Sequence, residues 1–194
     1  FTIAHETAQY FIRQIQSKIM NEGWASFWHK RILDALDLPQ GMKLEFMVRH
    51  NQVLSPTVGT VNPYHLGFKI WENIEKRWDD PPAEDIREFG PRQKKGAEKI
   101  FEVREVERDA SFLRRFLTEE LVRELNLVEY RTRGNDRVVS RVADTDSWKA
   151  IKESLIGNVG MGTVPVIKIE DADYNHSRTL MLRHYHHGRD LQLE

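Results

Sequence analysis

Apolar residues recur at intervals of three and four from Ile3 to Leu36: Ile3, Tyr10, Phe11, Ile15, Ile19, Met20, Trp24, Phe27, Trp28, Ile32 and Leu36. That spacing follows the helical turn and lays one broad apolar stripe along a helix face, whereas a strand would need alternation at every second residue. Gly23 interrupts the stripe and costs about 1 kcal/mol against alanine in a helix interior. Either two helices meet there, or another backbone or a ligand approaches closely. Pro39 and Gly41 close the segment.

The helical signal continues. Leu44 to Leu54 predicts a second helix, closed by Ser55-Pro56. Asn62-Pro63 is a helix opening, with asparagine as cap and proline in the first turn, where its missing N–H is not needed. Leu66, Ile70, Ile74 and Trp78 then step by four along one face. Residues 1–80 are thus expected to form a mostly α-helical layer. Residues 81–97 carry Pro81-Pro82, Gly90-Pro91 and Lys94-Lys95 among many charges, and are expected to be an exposed connector that hangs free or wraps the surface.

Residues 98–194 change character. Short helical pieces are expected at Phe101–Val106, Ala110–Leu117 and Glu119–Leu125. Two β-rich runs, Val128–Thr132 and Val138–Val142, are joined through Arg133-Gly134-Asn135-Asp136, a hairpin signal. Caps between Asp144 and Ser147 introduce a helix carrying Trp148, Ile151 and Leu155, which Gly157-Asn158-Val159-Gly160 terminates. Two further strands, Val164–Glu170 and Thr179–His184, flank Asp171-Ala172-Asp173-Tyr174-Asn175. The expected class is α+β: a helical layer followed by a small antiparallel ββαββ sheet with helices packed on it.

Composition narrows the function. Lysine and arginine total 29 and aspartate and glutamate 30, a net charge of −1 that argues against nonspecific binding to nucleic acid or anionic membrane. With no cysteine in the chain, disulfides, thiol catalysis and cysteine-ligated metals are excluded. No apolar run reaches the roughly 20 residues needed to span a bilayer, and no signal-peptide pattern opens the sequence. A globular cytoplasmic protein is expected. The chain opens Phe1-Thr2-Ile3-Ala4-His5 with its helical pattern already under way, as the downstream part of a longer polypeptide would.

Several site signatures are missing, among them GxGxxG, the Walker loop and the GxSxG elbow. His5-Glu6 opens an HExxH-like string, but Gln9 stands where the second histidine belongs. The densest polar information lies in Lys18-Ile19-Met20-Asn21-Glu22-Gly23-Trp24-Ala25-Ser26-Phe27-Trp28-His29. On a helix Lys18, Glu22 and His29 share one face among aromatics. A carboxylate in such surroundings needs a partner, since burial otherwise raises its pKa. The Glu22–His29 pair therefore reads either as a buried network that fixes helix packing or as a general acid/base or metal site. His29 and His50 are the candidate nitrogen ligands for a divalent metal, and Glu22 and His29 the candidate catalytic pair. His65 reads as exposed on a first helical turn. His184, His186 and His187 cluster at a strand end, either as a weak metal site or as a charged edge that discourages aggregation.

The same block resembles the signature of the SpoVR family, the stage V sporulation protein R-like proteins. So do Asn62-Pro63-Tyr64 with Leu66-Gly67, Lys99-Ile100-Phe101-Glu102-Val103-Arg104, Phe116-Leu117-Thr118-Glu119-Glu120 and Leu182-Arg183-His184. The resemblance spans essentially the whole chain and implies a protein whose relatives extend further upstream. Glu6, Asn21, Glu22, His29, His50 and His184 fit the family pattern, while His5 and His65 stand where relatives usually carry other residues. It implies a cytoplasmic role in spore cortex formation or stress-related envelope physiology, with no established reaction. A PrkA-type serine protein kinase, a von Willebrand-type domain protein and the upstream half of its own chain are the implied partners. The alternative expectation is a metal-dependent hydrolase-like enzyme whose Glu/His site the upstream region completes.

Overall fold

The structure, a computed structural model, describes residues 2–56, 60–91, 94–133, 136–142, 144, 147–186 and 191. The long N-terminal pattern forms two helices, α1 (Thr2–Ile15) and α2 (Lys18–Ala35), and the break falls at Gln16-Ser17 rather than at Gly23. Helix α3 (Gln40–Leu54) starts earlier than Leu44, directly after Pro39. Helix α4 (Pro63–Asp79) opens as its sequence predicts: the Asn62 side-chain oxygen accepts the N–H groups of Tyr64 at 2.9 Å and His65 at 3.5 Å. Its four-residue step buries Leu66, Ile70 and Ile74, with Gly67 and Trp71 beside them, and Phe68 is buried on another face, against His50 of α3.

The charged stretch after α4 includes a short helix, α5 (Ala83–Phe89), tied back by an Arg77–Asp85 ion pair at 2.7 Å. Its C-terminal end is fixed by the Asp79 carboxylate, which accepts the Gly96 N–H at 2.7 Å. There α6 (Gly96–Val106) begins so close to α4 that a Cβ on Gly96 would lie 2.8 Å from the Glu75 carbonyl carbon. Helices α7 (Asp109–Phe116), α8 (Glu119–Glu124) and α9 (Trp148–Gly157) complete the helical body. One core joins them: Met20 and Phe27 of α2, Ile70, Trp71 and Ile74 of α4, Ile100 and Val103 of α6, Phe112 and Leu113 of α7, Leu121 and Val122 of α8, and Ile151 of α9.

The α+β class stands, but the described strands form two antiparallel ribbons rather than one sheet. Strands β1 (Val128–Arg133) and β2 (Asp136–Val142) pair with each other. The hairpin residues Gly134 and Asn135, and His187, lie outside the described residues. The second ribbon pairs β3 (Val166–Tyr174) with β4 (Thr179–Tyr185). Strand β3 runs on through Asp171–Tyr174, and the chain reverses at Asn175, His176 and Arg178, all with positive φ near 55°. The Asp173 carboxylate stabilises that reversal by accepting the Arg178 N–H at 2.7 Å. Among the described residues, no helix is long and apolar enough to cross a membrane.

Candidate functional site

The Lys18–His29 block forms the first three turns of α2, and the side chains point in several directions. Asn21 faces α6: its carbonyl oxygen accepts from the Arg104 guanidinium at 2.6 Å, and its amide donates to Ser17 Oγ at 3.0 Å. Gly23 faces α4, where its backbone touches that of Gly67 and Phe68. Trp24 meets Trp71 at 5.1 Å and Phe101 at 5.2 Å between ring centroids. The Trp71 indole N–H donates to the Met20 carbonyl at 3.2 Å, and Ser26 and Phe27 are buried.

Glu22 is half-buried and faces Tyr64, in the first turn of α4. The phenol interacts with the Glu22 carboxylate, which together with burial holds the hydroxyl above its ordinary pKa. Two motifs of the resemblance, Asn21-Glu22-Gly23-Trp24 and Asn62-Pro63-Tyr64, are thus brought together by the α2–α4 contact.

His29 lies two turns beyond Glu22, roughly 10 Å along the axis. It is exposed, and its ring packs on Phe46 of α3 at 5.1 Å. His50 flanks the same phenylalanine at 5.4 Å and Phe68 of α4 at 5.4 Å, so the two imidazoles share Phe46 as a neighbour. His50 is buried, and its Nε2 finds no hydrogen-bond partner among the described residues. The structure therefore gathers His29 and His50 at the α2–α3 hairpin and directs Glu22 to Tyr64. Among the described residues, no group of three His, Asp or Glu side chains is placed to hold a metal ion.

Burial is the main cause holding the His50 imidazole below its usual value near 6.5, and the charges of His29 and Lys30 add to it while Asp34 opposes them. The unfolded chain then takes up a proton near pH 6.5 that the folded chain resists, so stability is full above that pH and falls as pH drops through it. Half-buried His65 is shifted in the same direction, again mainly by burial. Denaturant midpoints measured between pH 7.5 and 5.5 should therefore decline, and His50→Phe should flatten the decline without removing it.

The residue that sequence reasoning missed is Asp109, in the first turn of α7, with 1% exposure. Its carboxylate accepts the N–H groups of Ile19 at 2.9 Å and Met20 at 3.0 Å, capping α2 from ninety positions away. Ser17, the local cap residue, donates its hydroxyl to the Arg13 carbonyl instead. Burial pushes the Asp109 carboxyl up, against the pull of the helix N–H groups. An aspartate after Arg108 reads as an ordinary helix start, and nothing local marks it as serving another helix. At the chain's other end, the His184 and His186 rings meet at 6.1 Å.

An uncharacterized protein of Escherichia coli (strain K12), YcgB, is 30% identical over 204 residues, which cover 96% of this chain and 39% of YcgB. The chain thus spans well under half the length of that curated relative. No solved structure matches. The family model described as SpoVR like protein matches residues 1–164, the whole helical body with its first ribbon, and the chain belongs to the SpoVR-like family.

Proposed function

We propose that this chain is a regulatory or interaction protein of unestablished biochemical activity, acting in the cytoplasm in spore cortex formation or stress-related envelope physiology. Its partners on this reading are a PrkA-type serine protein kinase and a von Willebrand-type domain protein, with the upstream part of a longer SpoVR-like chain packed beside it. The observation that carries the proposal is the apolar surface of α1 and α3. Ile3, Tyr10 and Phe11 on α1, and Met42, Leu44, Met47, Val48 and Val53 on α3, are each about half exposed or more. Large apolar groups left exposed along a helix are the mark of a contact surface, and both helices carry them. Meanwhile Asn21, Glu22 and Gly23 are engaged with Arg104, Tyr64 and Gly67, which favours a packing role for the signature block.

The hydrolase alternative lacks comparable support, because Glu22 turns to Tyr64 while His29 and His50 stand around Phe46. Crosslinking and pull-down with the purified kinase and the purified von Willebrand-type protein test the proposal. A complex should form with at least one of them. It should weaken at least about tenfold in the Leu44→Glu/Met47→Glu variant, since each substitution puts a charge where an apolar contact is needed. Failure of both purified proteins to bind would remove the proposal's basis.

A further inference from the structure

The β3–β4 ribbon has two unlike faces. Directly paired residues of an antiparallel ladder project to the same side, so the pairs Ile167–His184 and Ile169–Leu182, with Leu180 by alternation, form one face. Its aliphatic side chains are 46% (Ile167), 65% (Ile169), 55% (Leu182) and 49% (Leu180) exposed. The opposite face is charged: Arg183 pairs with Glu170, and the Lys168 ammonium lies 5.0 Å from the Tyr185 ring centroid. A two-stranded ribbon is marginal in water by itself and needs a further strand or a covering layer.

The two edges also differ. Strand β3 carries Lys168, Glu170, Asp171 and Asp173, and its register shifts twice, between Ile169 and Asp171 and between Asp171 and Tyr174. Charges and bulges are the devices that keep an edge from accepting another strand. Strand β4 is Thr179-Leu180-Met181-Leu182-Arg183-His184-Tyr185, whose one permanently charged residue is already paired to Glu170. Among the described residues β4 pairs only with β3.

We propose that β4 adds to the β4 of a second copy of this chain, antiparallel about Leu182, to make a four-stranded sheet. The sequence of β4 is complementary to itself in that register. Leu182 meets Leu182, Met181 meets Arg183, Leu180 meets His184 and Thr179 meets Tyr185, so no like charges oppose each other. The same operation on β3 would set Glu170 against itself. The joined sheet brings the aliphatic groups of both copies onto one continuous face, and each ribbon supplies the strands the other lacks. This interface goes beyond the partner reading above and does not depend on it.

Sedimentation of the full chain and a single-cysteine scan test it. The mass should rise from 22.9 kDa to twice that value with concentration. Leu182→Lys should weaken association at least about 100-fold, because both copies lose a leucine and two ammonium groups meet on the axis. In this cysteine-free chain Leu182→Cys should form a disulfide-linked dimer under mild oxidation, since residues opposed across antiparallel strands lie about 4.5–5.5 Å apart. Asp171→Cys, on the other edge, should not. A chain that stays monomeric at several hundred micromolar, a dimer indifferent to Leu182→Lys while Leu182→Cys fails to link, or preferential linking through position 171 would each overturn the interface. The cysteine variants keep the test decisive if the lysine variant misfolds.

Discussion

Gly23→Ala and Gly67→Ala should each destabilise the protein by about 3 kcal/mol or more, lowering the thermal midpoint by roughly 10 °C in a chain of this size. A Cβ on Gly23 would sit 2.6 Å from the Phe68 backbone nitrogen and closer still to the Gly67 backbone, and one on Gly67 would sit 2.8 Å from Gly23 Cα. Both sets of obstructing atoms are backbone, so no side chain can rotate away. The helices must separate instead, loosening the contact that buries Met20 and Phe27 against Ile70, Trp71 and the rest of the core. Alanine's better helix propensity returns only about 1 kcal/mol. Once α2 and α4 have been pushed apart the second methyl meets less resistance, so the double variant should cost clearly less than the sum of the two. Gly41→Ala is the control: among the described residues nothing lies within 4 Å of its added Cβ, and the midpoint should hold or rise slightly. Thermal melts of the four variants decide it, and an unchanged midpoint for Gly23→Ala would contradict the close contact.

Asp109→Ala should be comparably damaging, about 3 kcal/mol, because it leaves the Ile19 and Met20 N–H groups buried without acceptors. Those two donors are bound by different carboxylate oxygens, and that detail sets the order of the variants. Asp109→Asn keeps one acceptor but turns an amide N–H toward the other donor, so its loss should fall between wild type and alanine. Hydrogen exchange locates the effect: protection should drop first at Ile19 and Met20, while the α4 amides at Ile70 and Trp71 stay protected to the global limit. Equal loss of protection along all of α2 and α4 at native conditions would argue that Asp109 acts on the fold as a whole rather than on the start of one helix.

Much of the candidate site was legible as residue types but not as partners. Glu22 needed a partner, because a carboxylate among aromatics is costly without one, and helical spacing offered His29. The fold gives it Tyr64 instead, forty-two positions away, because Gly23 and Gly67 let α4 come close enough to present its first turn. His29 and His50 do come near one another, but around Phe46, a residue that spacing along α2 could not involve. In the sequence Gly23 reads as either a helix junction or a close approach. Only the position of α4 selects the second.

The order of the helices, the Asn62 cap, the buried face of α4 and the pairing within each ribbon follow from local rules: turn geometry, the missing N–H of proline and the two periodicities of the backbone. Those rules act over a few residues and need no knowledge of what lies across the core. The break at Gln16-Ser17, the capping of α2 by Asp109, the Glu22–Tyr64 interaction and the separation of the described strands into two ribbons were decided in three dimensions. Each depends on which groups are desolvated together, and a buried N–H or carboxylate takes whichever partner the packed helices bring within reach.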